Sequence, residues 1–103
     1  MYNVTYLPVA QRDLVEIASY IANTLSSKKA ALDTISGITG AVSSLASMPY
    51  RRRVYRTLKP LAHDYRSIGY GNYLAFYWVD EGESSVVVAR ALYSKSSIAQ
   101  RLK

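Results

Sequence analysis

Between Tyr50 and Lys59 the chain places Arg51, Arg52, Arg53, Arg56 and Lys59 among Tyr50, Val54, Tyr55 and Leu58. Guanidinium and ammonium groups contact phosphates, and interleaved aromatic rings offer faces on which bases stack, so the stretch suits nucleic acid. The same cations can pair with carboxylates of an acidic protein or simply stand in solvent, and the residue types leave all three readings open. Arg66, Arg90 and Lys95 extend the basic set. His63, beside Asp64, is the one imidazole. It is either a general base or a solvated loop side chain, and the loop reading is preferred. With no cysteine, one histidine and no cluster of carboxylates, the chain has no ligand set for zinc, and neither a metal nor a cofactor is expected.

The charge is unevenly spread. Residues 1–50 carry Arg12, Lys28 and Lys29 against Asp13, Glu16 and Asp33, so the whole net excess of +6 lies in residues 51–103. That asymmetry implies a surface that meets something acidic. At 103 residues, half of them apolar, the chain is long enough for one domain with one packed core and too apolar for the disordered class. No basic region followed by an apolar run opens the sequence. No window approaches the roughly 18 apolar residues of a membrane helix, so the cytoplasm is the expected compartment and no membrane partner is expected.

The elements that must position these groups follow from periodicity. Tyr2, Val4 and Tyr6 alternate with Asn3 and Thr5, the pattern of a strand with one buried face. Pro8 suits the first position of a helix, and Leu14, Ile17, Ala18, Ile21 and Leu25 then recur at helical spacing. Ser26 and Ser27 interrupt, and Ser27 can cap a second helix carrying Ala31, Ile35, Ile38, Val42 and Leu45 on one stripe, ending before Met48-Pro49. So short a break favours a helix hairpin, with Gly37, Gly40 and Ala41 letting the backbones approach. Residues 50–64 show no clean period and read as a basic connection. Two strands, 65–70 and 73–79, flank Gly71-Asn72, a pair suited to a tight hairpin turn. Valine-rich Ser85 to Tyr93 reads as a strand buried on both faces and central in the sheet. Ile98 and Leu102 suit a short C-terminal turn of helix. The fold class is α+β in the order β-α-α-β-β-β, with the helix hairpin on one face of a mainly antiparallel four-stranded sheet. Its other face is then open to a partner, with Arg66, Arg90 and tyrosines projecting there. Tyr2, Tyr6, Tyr20 and Tyr77 read as core or half-buried residues.

On these elements the run Ala10-Gln11-Arg12-Asp13-Leu14-Val15-Glu16-Ile17-Ala18-Ser19-Tyr20-Ile21-Ala22, the later Tyr65-Arg66-Ser67-Ile68, and Gly71-Asn72-Tyr73-Leu74-Ala75-Phe76-Tyr77-Trp78-Val79-Asp80 resemble ParE-type toxins of the RelE/ParE superfamily. The resemblance implies a small basic toxin of a bacterial type II toxin-antitoxin system. It also implies a cognate antitoxin whose C-terminal segment wraps the groove and sheet edge, and a target that is either DNA gyrase or the ribosome with its messenger RNA.

The superfamily's ribosome-dependent nucleases cut messenger RNA without metal: a base takes the 2′-hydroxyl proton while cations stabilise the phosphorane. They place basic residues on the second strand, an arginine on the third, and a histidine or arginine with a tyrosine at the end of the fourth. By that resemblance Arg66 supplies the first group, and Arg90 with Tyr93 part of the last, which makes these three the catalytic candidates. Leu74 stands at the third-strand arginine position and Leu92 before Tyr93, and a leucine neither moves a proton nor offsets phosphate charge. The set is depleted, which favours ParE-like inhibition of gyrase over endonuclease activity. A degenerate toxin or a basic nucleic-acid-binding module is the further alternative.

Overall fold

The computed structural model describes residues 1–57 and 60–102, so Leu58 and the basic candidate Lys59 lie outside the described residues. The elements are β1 (Asn3–Tyr6), α1 (Pro8–Thr24), α2 (Lys28–Ser43), β2 (Arg66–Tyr70), β3 (Tyr73–Asp80), β4 (Ser85–Tyr93) and a last short turn, α3 (Ile98–Arg101). A single 3₁₀ turn, Ser44–Ala46, continues α2. Pro8 starts α1, where its missing N–H removes nothing. Ser27 caps α2, its hydroxyl accepting the Ala30 N–H at 3.0 Å. Gly71 has φ +57° at the first central position of the β2–β3 turn, the sign a type II′ hairpin requires.

The strands lie in the order β1-β4-β3-β2. β4 pairs antiparallel with β3 and parallel with β1, so the sheet is mixed and mainly antiparallel, and β4 is internal as its valines implied. Ala10, Ile17 and Ile21 of α1 and Ala31, Ile38 and Val42 of α2 bury against Ile68, Ala75, Tyr77, Val86, Val88 and Ala91. Both helices therefore share one face. Each large apolar side chain removed from water contributes about 1.5–3 kcal/mol.

The opposite face is not open. Tyr65, Phe76, Ala89, Leu92, Ile98 and Leu102 form a second cluster there, with Leu7, Tyr55, Leu61, Leu74 and Trp78 packed around it. The aperiodic segment after Met48 and the C-terminal turn are the cover, an outcome that strand and helix periods do not encode. Arg66 does not project from that face: it stands opposite Tyr77, which belongs to the helix-side cluster. Arg90 stands opposite Phe76 of the second cluster, but its guanidinium is held by Asp13 of α1.

Three smaller expectations also change. Leu25, as the residue that ends α1, is 63% exposed, and Asp13 instead of Leu14 occupies the fully buried stripe with Ala10, Ile17 and Ile21. Tyr20 is 64% exposed, whereas Tyr77 is buried and Tyr2 and Tyr6 are half-buried. The glycines of α2 are not a helix–helix seam: a Cβ at Gly37 would overlap the ring of Tyr70 on β2, and one at Gly40 would meet nothing.

Ser26 takes φ +51° between the helices, a conformation that costs a residue with a Cβ roughly 1–2 kcal/mol. Ser26→Gly should therefore raise the thermal midpoint by about 4–8 °C per kcal/mol recovered, read by calorimetry. An unchanged or lowered midpoint would show that the hydroxyl matters more than the backbone strain.

Candidate functional site

β1 is short and pairs with β4 only as far as Val88, so beyond it no strand among the described residues lies beside the outer edge of β4. At that point β4 bulges: Tyr77 pairs with Val88 and Phe76 with Arg90, which leaves Ala89 as the extra residue. Asp13 fills the gap from α1. Its carboxylate accepts from Arg90 Nε at 2.7 Å and Nη2 at 2.8 Å, and from the Ala91 N–H at 3.0 Å. Asp13 is 7% exposed and the Arg90 side chain 18%, so this is a bidentate, largely dehydrated pair. The hydrogen bonds that Arg90 donates to the Asp13 carboxylate push its guanidinium above its ordinary value. Arg90 Nη1 also reaches the Arg101 carbonyl at 3.4 Å, joining the C-terminal turn to the bulge.

Beside this pair lies a groove of about 630 Å³, lined by Asp13, Glu16, Ile17, Tyr20, Tyr73, Ala91, Leu92, Tyr93 and Arg101. Its walls are apolar and aromatic, with Glu16 and Arg101 as opposite charges on exposed positions. Tyr73 and Tyr93 meet edge to face, centroids 6.0 Å apart. Burial pushes the Tyr73 hydroxyl up, and the neighbouring Tyr20 and Tyr93 add to the shift. Rings with exposed faces and hydroxyl tips suit a partner side chain that inserts between them.

The second surface lies at the far end of the sheet, where β2 begins. Arg66 donates to the Arg52 carbonyl and holds its guanidinium over the Tyr50 ring, 5.0 Å from the centroid. Arg52 Nε donates to the Ser67 carbonyl at 3.2 Å, and Arg51 donates to the Ser44 hydroxyl. Arg53, Arg56 and Lys95 are exposed. Among the described residues only Lys29–Asp33 and Asp13–Arg90 form ion pairs, so no carboxylate neutralises the arginines of this edge. Nor does any group of three histidine or acidic residues among them suit a metal ion.

The family model of the ParE toxin of the type II toxin-antitoxin system parDE matches residues 4–96. The chain belongs to the ParE toxin family. Solved structures agree on the fold. A chromosomal ParDE system from P. aeruginosa superposes with a TM-score of 0.73 at 16% identity, covering 92% of this chain and 98% of that one. The RelBE2 complex from Mycobacterium tuberculosis gives 0.59 at 22% identity, covering 89% and 90%. The intact E. coli RelBE complex gives 0.59 at 13%, covering 93% and 100%. No curated protein matches the sequence. Among the described residues of this ParE-family toxin no helix is long and apolar enough to cross a membrane.

The toxin fold does not bring the three catalytic candidates together. Arg66 lies in the cross-strand row of Tyr77, while Tyr93 lies in the row of Tyr73 and Tyr70. Those rows are four residues apart on β2, about 13 Å at roughly 3.3 Å per residue. Arg90 is engaged by Asp13. Leu74 and Leu92 pair with each other across β3 and β4 and pack in the second cluster. His63 lies in neither row; its ring stacks on Trp78. Reading the sequence by period overlooked Asp13, although a carboxylate three residues from Ala10 and four from Ile17 sits on an apolar stripe and is itself a signal of a buried partner.

A further polar link joins the N-terminus to this edge. Glu81 accepts from the Tyr2 hydroxyl at 2.7 Å and from the Tyr50 hydroxyl. These bonds hold the Glu81 carboxyl below its ordinary 4.5 and push the Tyr50 hydroxyl up to about 12. The Glu81 contribution to stability is complete above pH 4.5 and is lost as pH falls through the lowered value. The Tyr50 contribution is complete below pH 10.0 and is lost as pH rises toward about 12. Glu81→Gln should flatten both limbs and let Tyr50 titrate earlier in an ultraviolet titration of the tyrosines. Unchanged tyrosine titration in that variant would show the clip absent in solution. The groups are exposed, so the stability effect is small.

Proposed function

We propose that this toxin arrests bacterial growth by binding DNA gyrase, with no bond made or broken by its own side chains, and that it acts in the cytoplasm. A cognate antitoxin neutralises it by laying an amphipathic C-terminal segment into the groove between α1 and β4. The observation that carries the inhibitor reading is the commitment of Arg90. A guanidinium that gives two hydrogen bonds to Asp13 inside a nearly dry pair is not available to stabilise a phosphorane. By the resemblance, Leu74 stands where the nucleases carry an arginine and Leu92 where some carry a histidine, and Arg66 lies two strands away from Tyr93 along a different row.

The antitoxin reading rests on the groove. Tyr20, Tyr73 and Tyr93 line an apolar trough beside the stretch of β4 that β1 does not reach, which fits a helix seated by apolar anchors. Expression in bacteria tests both parts. DNA synthesis should fall before messenger RNA fragments appear, and co-expression of the antitoxin encoded beside this chain should restore growth. Fragmentation of message ahead of any fall in DNA synthesis would replace the inhibitor reading with the endonuclease.

A further inference from the structure

The imidazole of His63 lies flat on the indole of Trp78, with ring centroids 3.7 Å apart and an interplanar angle of 3°. Tyr65 meets both rings edge-on at 5.8 Å. His63 is exposed and belongs to a loop, whereas Trp78 is half-buried on β3, and Tyr65 is buried. A recess of about 250 Å³ opens at this stack, lined by Tyr50, His63, Asp64, Arg66, Trp78 and Val79. Arg66 borders it and donates to the Arg52 carbonyl, and no described carboxylate forms an ion pair with either arginine.

A small planar heterocycle held parallel to an indole at van der Waals distance has the geometry of a nucleobase on an aromatic platform. We propose that the Trp78 face is a stacking site for an unpaired base of single-stranded nucleic acid, covered by His63 when empty, with Arg66 and the arginines of residues 51–53 taking the flanking phosphates. Asp64 at the rim accepts from a base amino group. A duplex hides its base faces within its own stack, so the ligand is single-stranded. Carboxylates of an acidic peptide would meet the arginines but leave the indole face unused. The site does not depend on the gyrase reading, because its ligand is recognised by ring and phosphate alone.

Trp78 is the only tryptophan, so its fluorescence reports this site alone. The purified full chain is titrated with short oligodeoxythymidine, short oligouridine, a duplex of equal length and polyglutamate. The expected result is quenching of Trp78 by one or both single strands, the stronger of the two identifying DNA or RNA as the source, with little response to the duplex. Arg66→Ala should weaken binding and reduce the slope of log affinity against log salt by about 0.7. Anisotropy with a labelled strand follows the tryptophan variants: Trp78→Leu should lose about 5- to 150-fold in affinity, and Trp78→Phe, which keeps a stacking face and the packing, only a small part of that. His63→Ala should bind at least as tightly as the parent, since the cover is removed. Binding of single strands without change in Trp78 emission would overturn the proposal. So would equal quenching by duplex, equal quenching by polyglutamate, or no binding of single strands at low salt.

Discussion

Replacing Asp13 with alanine should cost the fold about 3–5 kcal/mol, enough to lower the thermal midpoint by on the order of 20 °C. The loss has two parts. Arg90 would be left as a charge with only 18% of its side chain exposed, and the Ala91 N–H at the bulge would lose its acceptor. Asp13→Asn keeps an acceptor for Ala91 but removes the charge, and should fall between the parent and Asp13→Ala. The double variant Asp13→Ala, Arg90→Ala should recover part of the loss, because the isolated guanidinium is the costly element. Calorimetry decides the matter. A midpoint within a few degrees of the parent for Asp13→Ala would mean that solvent reaches Arg90 and that the pair does not hold the β4 edge to α1.

The second large effect belongs to the groove. Tyr20→Ala and Tyr93→Ala should each weaken antitoxin binding by about 30- to 1,000-fold, the range of aromatic anchors at the centre of an interface. Tyr20 is 64% and Tyr93 44% exposed, so stability should stay within about 0.5 kcal/mol of the parent. Calorimetric titration with the antitoxin's C-terminal segment reads the affinity, and thermal unfolding confirms that the variants are folded. Unchanged affinity in both variants would move the antitoxin off this groove.

Local patterns carried most of the elements into the fold. Pro8 at a helix start, Ser27 before a helical stripe and Gly71-Asn72 between alternating strands act over a few residues, so their consequences are visible in the chain itself. The valines of β4 announce burial on both faces for the same reason. The site is different, because its contacts span the chain. Asp13 and Arg90 are 77 positions apart, and neither the bulge at Ala89 nor the short reach of β1 leaves a periodic trace. Between Met48 and Asp64, Tyr55 and Leu61 cover a sheet face, and none of the described residues there lies in a helix or a named strand, so no period marks them as cover. For this reason the sheet face expected to receive a partner is packed, and the exposed aromatic surface lies instead along the α1–β4 edge. The basic stretch was legible as charge, but its arrangement around Tyr50 and Trp78 needed the loop's path.

The proposed inhibition of gyrase, by a toxin without chemistry of its own, is open to direct test. The most direct measurement sets the purified chain against both targets in parallel. One arm follows supercoiling by purified gyrase, and the other follows message on programmed ribosomes. Loss of supercoiling or accumulation of gyrase-cleaved DNA, with message left intact, is the expected result. Codon-positioned cuts in the message that vanish in Arg66→Ala, with gyrase unaffected, would contradict it.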